Sequence, residues 1–258
     1  HMQFEYERPK DTAGEPTLAE MTRAAIARLS RNGNGYVLLV EAGRIDHANH
    51  YGNAYRALSD TVAMSDAVRA ANEATSVDDT LIIVTADHSH VLNFAGYPQR
   101  GNPILGKVRG GSGEDDDGGL VNDGLGLPYT TLTYANGPGY TGASSSQPAG
   151  PKRYPHMGKE YEAAHGRPDL RNVDTEDPDY MQESTVPLTN ETHGGEDVGI
   201  WARGPRSVPT RASVGPTALL HFAAQATPRL RAALCAKGLC DANGVPVELP
   251  AVENFKPR

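Results

Sequence analysis

Tyr36-Val37-Leu38-Leu39-Val40-Glu41-Ala42-Gly43-Arg44-Ile45-Asp46-His47-Ala48-Asn49-His50 is where the reading of this chain begins. The five apolar residues 36–40 have the length and composition of a strand buried on both faces. They lead straight into two carboxylates and two imidazoles. Asp46 and His50 are four apart, so a helix opening at this point carries both on one face. Carboxylate oxygen with imidazole nitrogen is a borderline donor set that suits zinc.

Outward from this stretch, the flanks alternate. Thr17-Leu18-Ala19-Glu20 has capping-box spacing, and Leu18, Met21, Ala25, Ile26 and Leu29 follow with helical period up to Asn32-Gly33-Asn34-Gly35. A second helix is expected from about Asn53 to Ala74, burying Ala54, Leu58, Val62 and Val68, and then a strand at Thr80–Thr85. Helix, strand, helix, strand with short connections predicts an α/β fold with a mostly parallel central sheet flanked by helices. From about residue 96 the texture changes to Gly, Asp, Ser and Pro, with one strand-like run at Tyr129–Tyr134. Residues 96–186 therefore read as an irregular, crown-like, loop-rich insertion with little core of its own. Residues 1–95 and 187–258 read as parts of one α/β metal-binding domain. Glu114-Asp115-Asp116-Asp117 lacks the spacing of a calcium loop and reads as a solvated segment, with His156 and His165 exposed in the same insertion. A strand at 197–202 and a helical segment at about 216–237, split at Pro228, close the pattern.

Bulk properties narrow the classes. A net charge of -8 and a pI near 5.6 argue against a nucleic-acid surface, which needs clustered Lys and Arg. No apolar run approaches the roughly 20 residues of a transmembrane helix. Cys235 and Cys240 are the two cysteines, and their spacing fits a short disulfide in an exported protein. Two free buried thiols are the alternative.

Two further clusters share the chemistry of the first. Asp87-His88 follows the run 80–85, and Glu191-Thr192-His193-Gly194-Gly195-Glu196-Asp197 precedes the strand at 198–202. Ligands of parallel sheets sit beyond the carboxyl ends of the strands. His193 reaches the same edge if its strand runs antiparallel, or arrives on the loop from the insertion. Alone, Asp46 and His50 are a helix-start acid and a surface histidine, and Asp87-His88 a turn. Three clusters together indicate a metal site.

Glu41-Ala42-Gly43-Arg44-Ile45-Asp46-His47-Ala48-Asn49-His50, Thr85-Ala86-Asp87-His88-Ser89-His90 and Glu191–Asp197 resemble, in order and separation, the three metal-ligand blocks of the alkaline phosphatase family. The resemblance extends to Ala95-Gly96-Tyr97-Pro98, to Tyr134-Ala135-Asn136-Gly137-Pro138-Gly139-Tyr140 and to the terminal cysteine pair. It implies a zinc on Asp46, His50 and His193, a second zinc on Asp87 and His88, and a magnesium on Glu41. His47 and His90, beside these ligands, read as residues that orient them. Two zincs roughly 4 Å apart clamp the attacking and leaving oxygens of a phosphoryl transfer. The implied activity is hydrolysis of phosphate monoesters by a periplasmic or extracellular homodimer. The family's serine nucleophile, its metal-bridging aspartate and its phosphate-binding arginine have no counterpart here, and Ser89 is not a position the family uses. The chain thus resembles the C-terminal half of the enzyme, with no catalytic nucleophile and its own N-terminal half as a partner. The opening His1-Met2 fits a cloning scar or a cut within a longer protein. The competing expectations are a non-catalytic zinc-binding fragment, and a relative acting on other phosphate or sulfate esters.

Overall fold

The computed structural model describes residues 1–110 and 119–242, so the acidic run Glu114–Asp117 lies outside the described residues. By its contacts the chain divides into two compact units, His1–Ala71 with His88–Glu196, and Asn72–Asp87 with Asp197–Arg258. No described helix is long and apolar enough to cross a membrane.

The first unit begins with α1 (Leu18–Leu29), opened by the expected capping box. Thr17 Oγ1 accepts from the Glu20 amide at 3.1 Å, and Glu20 accepts from the Thr17 amide at 2.8 Å. A short helix, α2 (Arg44–His50), and a long one, α3 (Ala54–Glu73), follow. Their contacts are built from small side chains. Ala19 of α1 packs with Ala67 and Ala70 of α3, and Ala48 of α2 packs with Ala57 of α3 and Phe4. The buried face of α3 includes the expected Ala54 but otherwise differs from the expected one. It carries alanines, Arg56 and Asp60, while Val62 is 62% exposed. Arg56 tolerates burial because Glu7, Asp179 and the Pro178 carbonyl take its guanidinium protons.

Strands β2 (Ser89–His90), β3 (Leu92–Phe94), β4 (Leu132–Gly137), β5 (Ser184–Pro187) and β6 (His193–Gly194) belong to the same unit. β4 is central, antiparallel to β3 and parallel to β5, and β2 pairs antiparallel with β6. In the second unit, β1 (Ile82–Thr85) pairs antiparallel with β7 (Ile200–Arg203), in register from Ile82 opposite Arg203 to Thr85 opposite Ile200. Helices α4 (Ala218–Ala226) and α5 (Pro228–Ala236) break at Pro228 as expected. Cys235 and Cys240 form a disulfide.

The result is a mixed α/β arrangement of helices and three small sheets, in which only β4 with β5 runs parallel among the described strands. The expected strand at 36–40 forms no ladder, and Val37 and Leu39 are 73% and 88% exposed. Its apolar pattern is that of a strand, but no described segment offers it backbone partners. Residues 96–186 hold more core than their composition suggested. Val108, Leu132, Tyr134, Leu170, Tyr180 and Met181 are all buried. Side-chain hydrogen bonds organise these loops: Lys107 Nζ donates to the carbonyls of Leu170 and Val173, and the Arg167 guanidinium joins the carboxylates of Asp123 and Glu183. His156, expected exposed, is 3% exposed, held by the Pro138 carbonyl and Ser144. His165 is exposed.

Candidate metal centre

Helix α2 presents Asp46 in its first turn and His50 in its last, the order that the helix dipole favours for an acid and a base. Their four-residue spacing brings His50 Nε2 to 3.4 Å from Asp46 Oδ1. Opposite lies the β2–β6 pair. His90 and His193 are direct cross-strand partners, which places their side chains on one face. His88 lies in the bend just before β2. The rings of His88 and His193 stack with centroids 3.6 Å apart.

All four imidazoles turn toward one oxygen. Asp46 Oδ1 lies 3.1 Å from His90 Nε2, 3.4 Å from His193 Nε2 and 3.8 Å from His88 Nε2. His193 Nε2 is 3.2 Å from His50 Nε2. Ligands bound tetrahedrally at zinc distances are separated by about 3.3 Å, so these spacings fit such a set. Asp46 Oδ1 and His90 Nε2 are buried without a hydrogen-bond partner. Buried polar atoms left in that state are costly unless a cation or proton joins them. Asp46, His88, His90 and His193 form one group able to hold a metal ion, and His50, His90 and Glu191 form another.

The other expected residues stand differently. Glu41 is exposed and in neither group, and Asp87 belongs to the second unit, where it is exposed. His47 Nδ1 faces Arg44 Nη1 at 3.0 Å, and burial and the Arg44 charge hold its imidazole below the usual histidine value. With His50, Tyr51, Met157 and Asn190 it lines a shallow cleft of about 220 Å³. Ser89 donates to Glu196. Behind the centre, Tyr134 Oη donates to Asn49 Oδ1 at 2.7 Å, tying β4 to α2, and burial pushes this phenol upward.

Glu191 is the residue that the sequence alone did not single out. Its side chain is fully buried against His90. Burial works against the His90 imidazolium, but the Glu191 hydrogen bond and charge, with the charge of Asp46, outweigh it and raise His90. The signal was present, because Glu191 stands two residues before His193, but nothing in the letter separates a buried glutamate from a solvated one.

A sequence model of the alkaline phosphatase family matches residues 1–227, most of the chain. The chain belongs to the alkaline phosphatase family. Among relatives, it is 41% identical over 202 residues to the tissue-nonspecific alkaline phosphatase isozyme of Felis catus, a match covering 78% of this chain and 33% of that protein. It is 39% identical over 202 residues to an alkaline phosphatase of Gadus morhua, covering 78% of this chain and 36% of that protein. The tissue-nonspecific isozyme of Rattus norvegicus gives 39% identity, with coverage of 78% and 33%. The match thus spans about a third of the length of these alkaline phosphatases.

Proposed function

We propose that this chain is the metal-holding part of a phosphomonoester hydrolase of the alkaline phosphatase type. The convergence of four imidazoles on Asp46 Oδ1 carries the reading, because it gathers nitrogen and oxygen donors at the spacing zinc requires. In this reading Asp46, His50 and His193 hold one zinc, His88 and Asp87 a second, and Glu41 a magnesium ion. Five donor atoms exceed the four of one tetrahedral ion, which favours sharing them between two. Bound there, two zincs supply Lewis-acid stabilisation of the attacking and leaving oxygens of a phosphate monoester. The residues of this chain hold those donors in place around Asp46 Oδ1.

The serine nucleophile belongs, in this proposal, to an N-terminal polypeptide outside these 258 residues. That polypeptide also completes a mostly parallel sheet, with the exposed run 36–40 as a strand and 96–186 as an insertion. The active form is a homodimer exported from the cytoplasm, a placement the disulfide supports. The test is hydrolysis of p-nitrophenyl phosphate by this polypeptide, purified to a single mass, with zinc and magnesium, with and without the N-terminal polypeptide. Turnover should fall on the order of 10³-fold or more without it, the scale of losing a nucleophile. Full turnover from the 258 residues alone overturns the assignment of the nucleophile.

A further inference from the structure

We propose that Glu191 is a positioning residue that holds two histidines of the centre at once, one through its backbone and one through its carboxylate. The proposal rests on the reading of this cluster as a metal centre. His50 Nδ1 lies 2.6 Å from the Glu191 carbonyl oxygen, and His90 Nδ1 lies 2.7 Å from Glu191 Oε2. The second carboxylate oxygen, Oε1, accepts from the Val91 amide at 2.7 Å. The Glu191 amide donates back to the His50 carbonyl at 2.9 Å. Glu191 itself is 1% exposed, and its β-carbon would lie 3.0 Å from a β-carbon at position 137, a tight contact that Gly137 avoids.

The chemistry of these partners fixes the tautomers. A carbonyl oxygen only accepts, so His50 Nδ1 carries the proton and Nε2 keeps its lone pair. An ionised carboxylate likewise only accepts, so His90 Nδ1 is the donor and its Nε2 faces Asp46. Glu191 therefore turns two Nε2 atoms toward the same oxygen and leaves them able to bind a cation. Metal-binding histidines characteristically donate their other ring proton to a carboxylate or a carbonyl, and here one residue provides both. A cation seated instead on Glu191 Oε2 and the two Nδ1 atoms beside it, 3.6 Å away in His50 and 2.7 Å in His90, would have to break the His50 Nδ1 bond to the carbonyl. The geometry thus assigns Glu191 to orientation and not to ligation.

The deciding variant is Glu191→Gln, which keeps shape and volume. Its amide oxygen can still accept from the Val91 amide, but its NH2 group then meets His90 Nδ1 as a donor. His90 must answer with the other tautomer, protonated at Nε2, while His50 keeps its carbonyl and is the internal control. Nitrogen NMR of the imidazoles in the metal-free chain at alkaline pH reads this directly. The wild type should show Nδ1 protonated in both His50 and His90. The variant should switch His90 alone; its Nε2 proton then points at Asp46 Oδ1, the oxygen assigned to the zinc, and zinc affinity by calorimetry should fall roughly 10- to 100-fold. Nε2 protonation of His90 in the wild type overturns the proposal, even if the variant fails to fold. So does a folded variant with unchanged His90 tautomer and zinc affinity, as a purely structural role predicts. A wild-type chain with these tautomers but no zinc binding would support Glu191 and refute the metal reading.

Discussion

Strand β4 and the run Tyr36–Val40 lie in the same unit and invite comparison. The run 36–40 is wholly apolar apart from the Tyr36 hydroxyl, while β4, Leu132–Gly137, mixes Leu, Thr, Tyr, Ala, Asn and Gly. Pattern alone ranks the first as the better buried strand. The structure reverses the ranking. β4 is paired on both edges and buries Leu132 and Tyr134, whereas 36–40 is paired on neither and leaves Leu39 exposed. Being a strand is a relation between segments: backbone donors and acceptors must find partners on a neighbour, and apolar side chains cannot replace them. In the proposal above, this exposed apolar run is where the N-terminal polypeptide pairs.

The comparison can be broken most directly by truncating each strand at its leucine. Leu132→Ala should cost about 2–5 kcal/mol of stability, the range for emptying a packed site. Leu39→Ala should stay within roughly 0.5 kcal/mol, since the side chain already faces water. Chemical unfolding of the 258-residue chain measures both. A loss at Leu39 comparable to that at Leu132 would mean that 36–40 is buried.

A smaller effect sharpens the same contrast between buried and exposed positions at a polar group. Burial pushes the Asp60 carboxyl up to about 6, against the downward pull of the Glu5 amide that donates to it. Its folded value lies above its unfolded one, so the contribution is fully present below pH 3.8 and is lost as pH rises through about 6. Asp60→Asn keeps an acceptor oxygen and removes the charge. Between pH 4 and pH 8 the wild type should therefore lose up to about 2 kcal/mol relative to the variant, after allowance for solvent around the group. Parallel pH profiles of the two proteins would contradict this.

What the sequence made legible follows the same physics. Local rules held: the Thr17–Glu20 capping box, the helix carrying Asp46 and His50, and the break at Pro228 each depend on neighbours within one turn. The nearness of His50, His88 and His193 to Asp46 joins residues that stand out by type, whereas the expected ligands Asp87 and Glu41 fall in neither candidate group. What failed depends on distant partners. Val62 matched the helical period, but the neighbours of α3 took its alanine face. His156 looked like a surface residue of a polar loop until the Pro138 carbonyl and Ser144 enclosed it. Glu191 carries no mark of burial, since its partners lie about a hundred residues away.

The central claim is that the atoms around Asp46 Oδ1 are a zinc site. Calorimetric titration of the metal-free 258-residue chain with zinc tests it, in the wild type and in His193→Ala. His193 supplies a donor 3.4 Å from Asp46 Oδ1 and 3.2 Å from His50 Nε2. With Asp46, His50 and His193 all in this chain, one strong site is expected, and His193→Ala should abolish it. A second zinc should bind more weakly, lacking the bridging carboxylate proposed to lie elsewhere. No strong binding, two equally tight sites, or a strong site untouched by His193→Ala would contradict the account.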